Sequence, residues 1–436
     1  MIWRKTRKKS LAAKAVLLLG MTPLLFSCAG SSFHYAPDSL SLSLRDQPLK
    51  IIEASDLHFL ASSLTDDGAL FTQTVDNADG KVTRYGEVVL DAFLEEVSQA
   101  KPDALFLSGD LTFNGEKASH EDLAKKLLPL RAKGIAVCLI PGNHDIDSSS
   151  AFSYSGDYAI RTDNVSKSSF LSIYQDLTFA HVLSFDETSL SYVYPLREDL
   201  WLLALSADGD SELAGRIPDS TLSWAASELE LAKKQGIKVV GMTHESVHDQ
   251  NPNFASFSLY NNDSVEALYQ KEGVLANLSG HLHIQHYVEG ESFPDFCTSS
   301  LLVSPSHYAE VTISPSSFAY STASVDVLSY ARKKDLTDPN LLSFPAYSEA
   351  YFKTSNEKKV RKRLEESTYT NEEKEAMVAS YLALNYDYYA GVETDESLYP
   401  EGFELWRKST LSSAAYVRTM LEDDQKNFNA YKKSLL

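Results

Sequence analysis

The stretch Ile135-Ala136-Val137-Cys138-Leu139-Ile140-Pro141-Gly142-Asn143-His144-Asp145 decides the fold. Residues 135–140 form a short apolar run stopped by Pro and Gly, the pattern of a strand buried on both faces. The polar Asn-His-Asp group follows where the chain leaves that strand. The same unit recurs on both sides of it. Residues 49–54 lead to Asp56-Leu57-His58, and residues 104–107 lead to Gly109-Asp110. Residues 237–241 lead to His244, and residues 274–278 lead to Gly280-His281-Leu282-His283. Residues 201–205 are one more apolar run of this kind. Functional groups in open α/β sheets gather beyond the carboxyl ends of strands, so these segments predict a single site.

Helical patterns lie between the runs. Val89, Ala92, Phe93 and Val97 recur at spacings of three and four before Lys101-Pro102 closes the segment. Residues 119–133 and 220–235 behave likewise, with Gly134 and Gly236 as stops. Strand and helix in alternation imply an α/β core with helices covering the sheet. Residues 286–289, 293–303 and 309–313 read as a β-meander, which makes the sheets mixed. Residues 326–436 turn rich in Lys, Glu and Tyr and read as a helical appendage to a core spanning 49–325. Its clearest helix is predicted over 370–391, with a capping box at Thr370 and Glu373 and one face lined by Met377, Tyr381, Leu384 and Tyr388.

The chain of 436 residues carries a net charge of −20, which excludes nucleic acid as a bulk partner because phosphate backbones are repelled. Positive charge for an anionic substrate must then be local, and bound cations supply it. At the N-terminus Arg4, Lys5, Arg7, Lys8, Lys9 and Lys14 precede an apolar run over 15–26, the pattern of an export signal over 1–27. Leu25-Phe26-Ser27-Cys28 resembles a bacterial lipobox, although Phe26 stands where a small residue is usual. The expectation is a lipid on Cys28, a tether over 28–48, and a protein held to the outer face of the bacterial cytoplasmic membrane or another envelope membrane. Cys138 and Cys297 lie in apolar stretches and read as buried thiols, with a disulfide between them left open.

A set of His, Asp and Asn side chains suits divalent transition ions, Mn, Fe or Zn, better than Mg or Ca. The order Asp-x-His, Gly-Asp, Gly-Asn-His-Asp, His, Gly-His-x-His resembles that of the calcineurin-like metallophosphoesterases, over residues 49–313. That resemblance implies a four-layer α/β/β/α sandwich with mixed sheets and a phosphoester hydrolase with two divalent metal ions. By motif, Asp56, His58, Asp110 and His283 hold one ion, while Asp110, Asn143, His244 and His281 hold the other. Asp110 then bridges them, a hydroxide between the ions is the nucleophile, and His144 is the general acid.

Departures from the family's pattern narrow the class. The protein Ser/Thr phosphatases of this superfamily carry Gly-Asp-x-x-Asp-Arg-Gly, whereas residues 109–115 here are Gly-Asp-Leu-Thr-Phe-Asn-Gly. Without that arginine, this loop lacks a bidentate grip on a phosphomonoester. Ser55-Asp56-Leu57-His58 and Gly109-Asp110-Leu111-Thr112 look more like the bacterial phosphodiesterase branch, which includes class III cyclic-nucleotide phosphodiesterases. The expected partner is a small phosphoester or phosphodiester. Asn114 and His248 are candidate substrate contacts, and residues 145–169 are expected at the rim. The alternatives are a phosphomonoesterase or nucleotidase, and a surface-binding lipoprotein without activity. His34, His120, His181, His286 and His307 read as ordinary structural histidines.

Overall fold

The computed structural model describes residues 47–209, 215–423 and 427–435. The export signal, Cys28, His34 and the tether as far as residue 46 lie outside the described residues.

The strands in chain order are β1 (Leu49–Ala54), β2 (Ala104–Leu107), β3 (Ala136–Leu139), β4 (Phe152–Ser155), β5 (Tyr158–Arg161), β6 (Ser184–Asp186), β7 (Ser191–Arg197) and β8 (Leu200–Ala204). They continue with β9 (Lys238–Met242), β10 (Asn277–Ser279), β11 (His286–Val288), β12 (Asp295–Cys297), β13 (His307–Ile313), β14 (Ser317–Ser324) and β15 (Ala430–Ser434). One sheet has the order β15-β14-β13-β1-β2-β3 and a second the order β11-β12-β10-β9-β8-β7-β6, while β4 and β5 pair separately. β1, β2 and β3 run parallel, as do β8, β9, β10 and β12. The other pairings in both sheets are antiparallel, so both sheets are mixed.

β2 and β3 are buried at every residue, as expected of parallel strands covered on both faces. In the core, α1 (Ala69–Asp76), α2 (Gly86–Ala100), α3 (Lys117–Ala132), α4 (Lys167–Ile173), α5 (Asp219–Lys234) and α6 (Asn262–Glu272) fill the connections. Val89, Phe93 and Val97 of α2 share a core with Leu123 and Leu127 of α3 and with the first sheet. Strand side chains alternate with period two. Leu202, Ala204, Val240 and Met242 therefore point into that same core, whereas Leu203 and Val239 pack with Ala225 and Leu229 of α5 and Val265 of α6. Phe296 of β12 stacks on Tyr320 of β14 with ring centroids 4.3 Å apart, joining the two sheets face to face. The result is the expected four-layer α/β/β/α order.

The C-terminal helices are α7 (Val327–Lys333), α8 (Phe344–Leu364), α9 (Asn371–Ala390), α10 (Pro400–Lys408) and α11 (Ser412–Leu421). α9 starts at the expected capping box on Thr370 and Glu373 and ends at Gly391, whose φ is 68°. A third core unites Met377, Leu384, Trp406 and Val417 with Leu282 and Ile284. The helical region thus grips the segment that carries His281 and His283. Two features depart from the sequence reading. The meander is divided, since β11 and β12 stay in one sheet while β13 crosses into the other. The chain also ends in a strand, β15, which pairs with β14. Its residues Ala-Tyr-Lys-Lys-Ser are mostly polar and half exposed, so no apolar run announces it. Cys138 and Cys297 are buried and free.

Candidate metal centre

The parallel strands β1, β2 and β3 bring the ends of three motifs side by side, and β9 and β10 bring two more from the facing sheet. The pairing of β1 with β2 continues beyond the strands: His58 N–H donates to the Asp110 carbonyl at 2.9 Å, and Asp56 N–H to the Gly109 carbonyl at 3.1 Å. Several site residues take the left-handed backbone conformation that L-residues avoid. The φ angles are 52° at Asp56, 38° at His58, 48° at Asp110, 68° at His281 and 59° at His283. Such strain costs about 1–3 kcal/mol per residue and persists only where packing over-determines it. Two glycines permit the close approach. A Cβ on Gly142 would meet Asp110 and His244, and one on Gly280 would meet Ser55 and Asp56.

Asp56, His58, Asp110 and His283 each offer one ligand atom, all within 4.8 Å of one another, and Asp110, His244 and His281 form a second such group. Asp110 belongs to both. Its Oδ2 lies 3.6 Å from His58 Nε2, and its Oδ1 lies 3.4 Å from His244 Nε2. Asn143 Oδ1 is 3.3 Å from His244 Nε2, on the side of the second group. All the residues expected as ligands from the motifs are therefore brought together.

Asp56 tests whether the cluster fits a cation. Its Oδ2 accepts the His281 N–H at 2.9 Å, while its Oδ1 is buried with no hydrogen-bond partner. That orphaned oxygen stands 3.2 Å from His283 Nε2 and 3.8 Å from His58 Nε2. A buried carboxylate oxygen ringed by imidazole nitrogens is costly alone and suits a divalent ion. The electrostatics agree. Burial pushes Asp56 and Asp110 up, but facing His283 and His244 respectively hold both below the usual carboxylate range. Burial pushes His58 and His281 down, which keeps their lone pairs free for a metal.

Neighbouring groups orient these ligands. His244 Nδ1 donates to the Ser108 carbonyl at 2.8 Å, which turns Nε2 toward Asp110. His283 Nδ1 meets Asp79 Oδ2 at 3.1 Å, and Lys81 Nζ lies 3.6 Å from the same oxygen. Asp79 is the functional residue that sequence reasoning missed. It sits in an Asp-Gly turn, 204 positions from His283, where the only local signal was that of a turn. Asp145 is buried and accepts from the Leu111, Thr112 and Gly142 N–H groups, each at 2.9 Å, and from Thr112 Oγ1 at 2.8 Å. It ties the loop after β2 to the loop after β3.

His144 has its backbone N–H on Asp110 Oδ1 at 2.9 Å. Its Nδ1 faces the Phe113 carbonyl at 3.1 Å and Asn114 Oδ1 at 3.0 Å. That leaves Nε2, 4.0 Å from Asp110 Oδ2, on a side chain 36% exposed. Asn114 is partly exposed, and its Oδ1 faces His144 Nδ1 at 3.0 Å. One expected substrate contact needs correction. His248 is buried, with Nε2 on the Phe293 carbonyl at 3.1 Å and Nδ1 3.6 Å from Glu266. Both its nitrogens are thus committed to the scaffold. His120 and His286 likewise have structural partners, Tyr174 and Thr112 for the first and Gln250 and Asp423 for the second.

Residues 49–285, more than half of the chain, match the family described as Calcineurin-like phosphoesterase. Residues 326–427 match the family described as C-terminal domain of cyclic nucleotide phosphodiesterase. A probable cyclic nucleotide phosphodiesterase from Ruthia magnifica subsp. Calyptogena magnifica is 35% identical over 74 residues, 17% of this chain. The match spans only 30% of that relative's length. Among solved structures, a dimetal phosphatase from Danio rerio is 12% identical, with a TM-score of 0.47, over 63% of this chain and 96% of that one. A purple acid phosphatase from yellow lupin seeds is 11% identical, with a TM-score of 0.40, over 64% of this chain and 52% of that one.

Proposed function

We propose, from the premise that this chain belongs to the calcineurin-like phosphoesterase family, that it is a phosphodiesterase with His144 as its general acid. Membership of that family supports phosphoester hydrolysis, and the proposal adds the diester preference and the residue roles. When bound, two divalent cations supply Lewis acidity and a nucleophile at neutral pH. Asp56, His58 and His283 would hold one, Asn143, His244 and His281 the other, with Asp110 shared between them. The donor set of imidazole, carboxylate and amide suits Mn, Fe or Zn.

The observation that carries the reading is the setting of His144. Phe113 O and Asn114 Oδ1 accept a hydrogen bond from its Nδ1–H, so Nε2 is the nitrogen turned toward the cluster and the solvent. From there it can hand a proton to a leaving alkoxide. Because Asn114 is neutral, this partner orients the ring without adding a charge. Residues 109–115 offer no arginine to a dianionic monoester, which favours the diester. The descriptions of the C-terminal family and of the bacterial relative support the same choice and make cyclic nucleotides the first class to assay. Phe257, 48% exposed, has its ring 6.0 Å from that of His281 and offers a flat apolar face to a base.

The test compares bis(p-nitrophenyl) phosphate, p-nitrophenyl phosphate and cyclic AMP as substrates of the metal-loaded chain. Faster turnover of the diesters supports the proposal; a preference for the monoester overturns it. We also propose that the chain is exported and lipid-anchored through Cys28, on the strength of the basic and apolar N-terminal sequence. Among the described residues no helix is long and apolar enough to cross a membrane. Failure of the wild-type chain to incorporate labelled palmitate, or equal incorporation by a Cys28→Ser variant, would rule the anchor out.

A further inference from the structure

A second polar site lies within the C-terminal region. α8, α9 and α11, with Asn253 and Phe254, line a cavity of about 480 Å³. That size falls in the range of small-ligand sites, roughly 300–1,000 Å³. Helical spacing sets Asn356, Lys359 and Arg363 of α8 on one wall and Tyr381, Asn385 and Tyr389 of α9 on another. Helix faces that meet inside a protein usually carry apolar side chains at this spacing. Here they carry amides, phenols and cations.

Two independent observations point to an anion. The first is charge. The cavity lining holds no carboxylate, in a chain with 60 Asp and Glu against 40 Lys and Arg. Lys359 and Arg363 make no ion pair with a carboxylate among the described residues, and both line the cavity with Tyr381. The second is Asn385, which is only 2% exposed. Its Oδ1 accepts from the Tyr416 hydroxyl at 3.0 Å, but its Nδ2 is buried with no hydrogen-bond partner. A buried amide donor left unpaired is costly and calls for an acceptor.

Lys359 of this cavity lies within electrostatic reach of Asp79. We propose that the cavity binds a small phosphomonoester through residues outside the metal-ligand set. Lys359 and Arg363 take the phosphate charge, with the guanidinium fork matched to two of its oxygens. Asn385 Nδ2 donates to a further oxygen, and the tyrosine rings flank the organic part.

The test removes the metal centre from consideration. The Asp110→Asn variant of the full chain is titrated calorimetrically with 5′-AMP and with inorganic phosphate. Binding of both probes supports the site and assigns recognition to the phosphate, while binding of 5′-AMP alone supports it and assigns part of the recognition to the organic group. Adding Lys359→Ala and Arg363→Ala should weaken that binding by about tenfold or more, as loss of both charge-assisted partners requires. Asn385→Asp is the second variant, near-isosteric and still able to accept from Tyr416. It should keep the thermal melt and lose the anion, because it sets a carboxylate against the phosphate. Failure of the Asp110→Asn chain to bind either probe overturns the proposal, and so does unchanged binding in the Lys359, Arg363 and Asn385 variants. Because this background needs no turnover, the outcome is independent of the diesterase reading.

Discussion

Replacing Asp79 by Ala should weaken one metal ion and spare the other. Among the expected metal ligands Asp79 contacts His283, at 3.1 Å through Nδ1, and His283 belongs to the group with Asp56 and His58. Loss of an outer-shell partner to a ligating histidine costs about 10–100-fold in metal affinity, or roughly 1.4–2.8 kcal/mol. Two opposing effects decide where in that range the loss falls. Lys81, 8% exposed, loses the carboxylate 3.6 Å from its Nζ and leaves an uncompensated positive charge close to the ion. Asp79 itself is half-buried, so solvent screens part of that charge. The Asp79→Ala, Lys81→Ala double variant should therefore recover part of the affinity. The assay is equilibrium dialysis against graded chelator, with metal per chain counted by mass spectrometry. Wild type should release its two ions at higher chelator than the variant releases its first, and the variant's second should leave where wild type's does. Equal loss of both ions, or no loss, would refute the argument that Asp79 acts through His283.

Other perturbations separate the remaining roles. His144→Ala should keep its metal while turnover falls by about 10²–10⁴-fold, with substrates of low leaving-group pKa suffering least. Metal loss in that variant would make the residue a ligand instead. Asp110→Asn should lose both ions and all turnover, since Asp110 belongs to both ligand groups; near-normal activity would break the binuclear assignment. Metal uptake should release protons. Burial alone pushes His283 down, but Asp56 lifts it to about 9, so below that pH the metal-free histidine is charged and must lose its proton to ligate. Affinity should then rise with pH by up to about tenfold per unit below about 9, and calorimetry at neutral pH in buffers of different ionisation enthalpy should count at least about one proton. No proton release would contradict it. Asp145→Ala leaves three buried backbone N–H groups without their acceptor and should cost about 3–5 kcal/mol in urea unfolding; a loss below about 1 kcal/mol would deny its tying role.

Much of the fold was legible because parallel strands buried on both faces leave compact apolar runs. The run at 104–107 coincides with β2, and that at 49–54 with β1. α9 was legible at both ends because its capping box and its terminal Gly391 act locally. β14 and β15 were not, since antiparallel strands near a sheet edge tolerate Ser, Thr and Lys on a solvated face. The candidate ligands that the structure brings together were legible as motifs because few residue types can hold a divalent ion. His248 misled for the complementary reason: position along the chain, four residues beyond His244, says nothing about which way a ring turns. Its nitrogens are settled by Phe293 and Glu266, neither of which the local sequence brings near.

The sequence by itself determined the α/β core, the order of the ligand-bearing motifs and the class of chemistry, because each depends on periodicity or residue type over a few positions. Only the tertiary structure decided which side chains share an environment. It gave each oxygen of Asp110 a different group to face, left Asp56 Oδ1 without a partner, and set Asp79 behind His283. It also turned Asn114 onto His144, and it anchored Leu282, between two site histidines, in the C-terminal core. Such relations hold between segments far apart in the chain. They are fixed by burial and hydrogen bonding in three dimensions, which leave no local pattern to read.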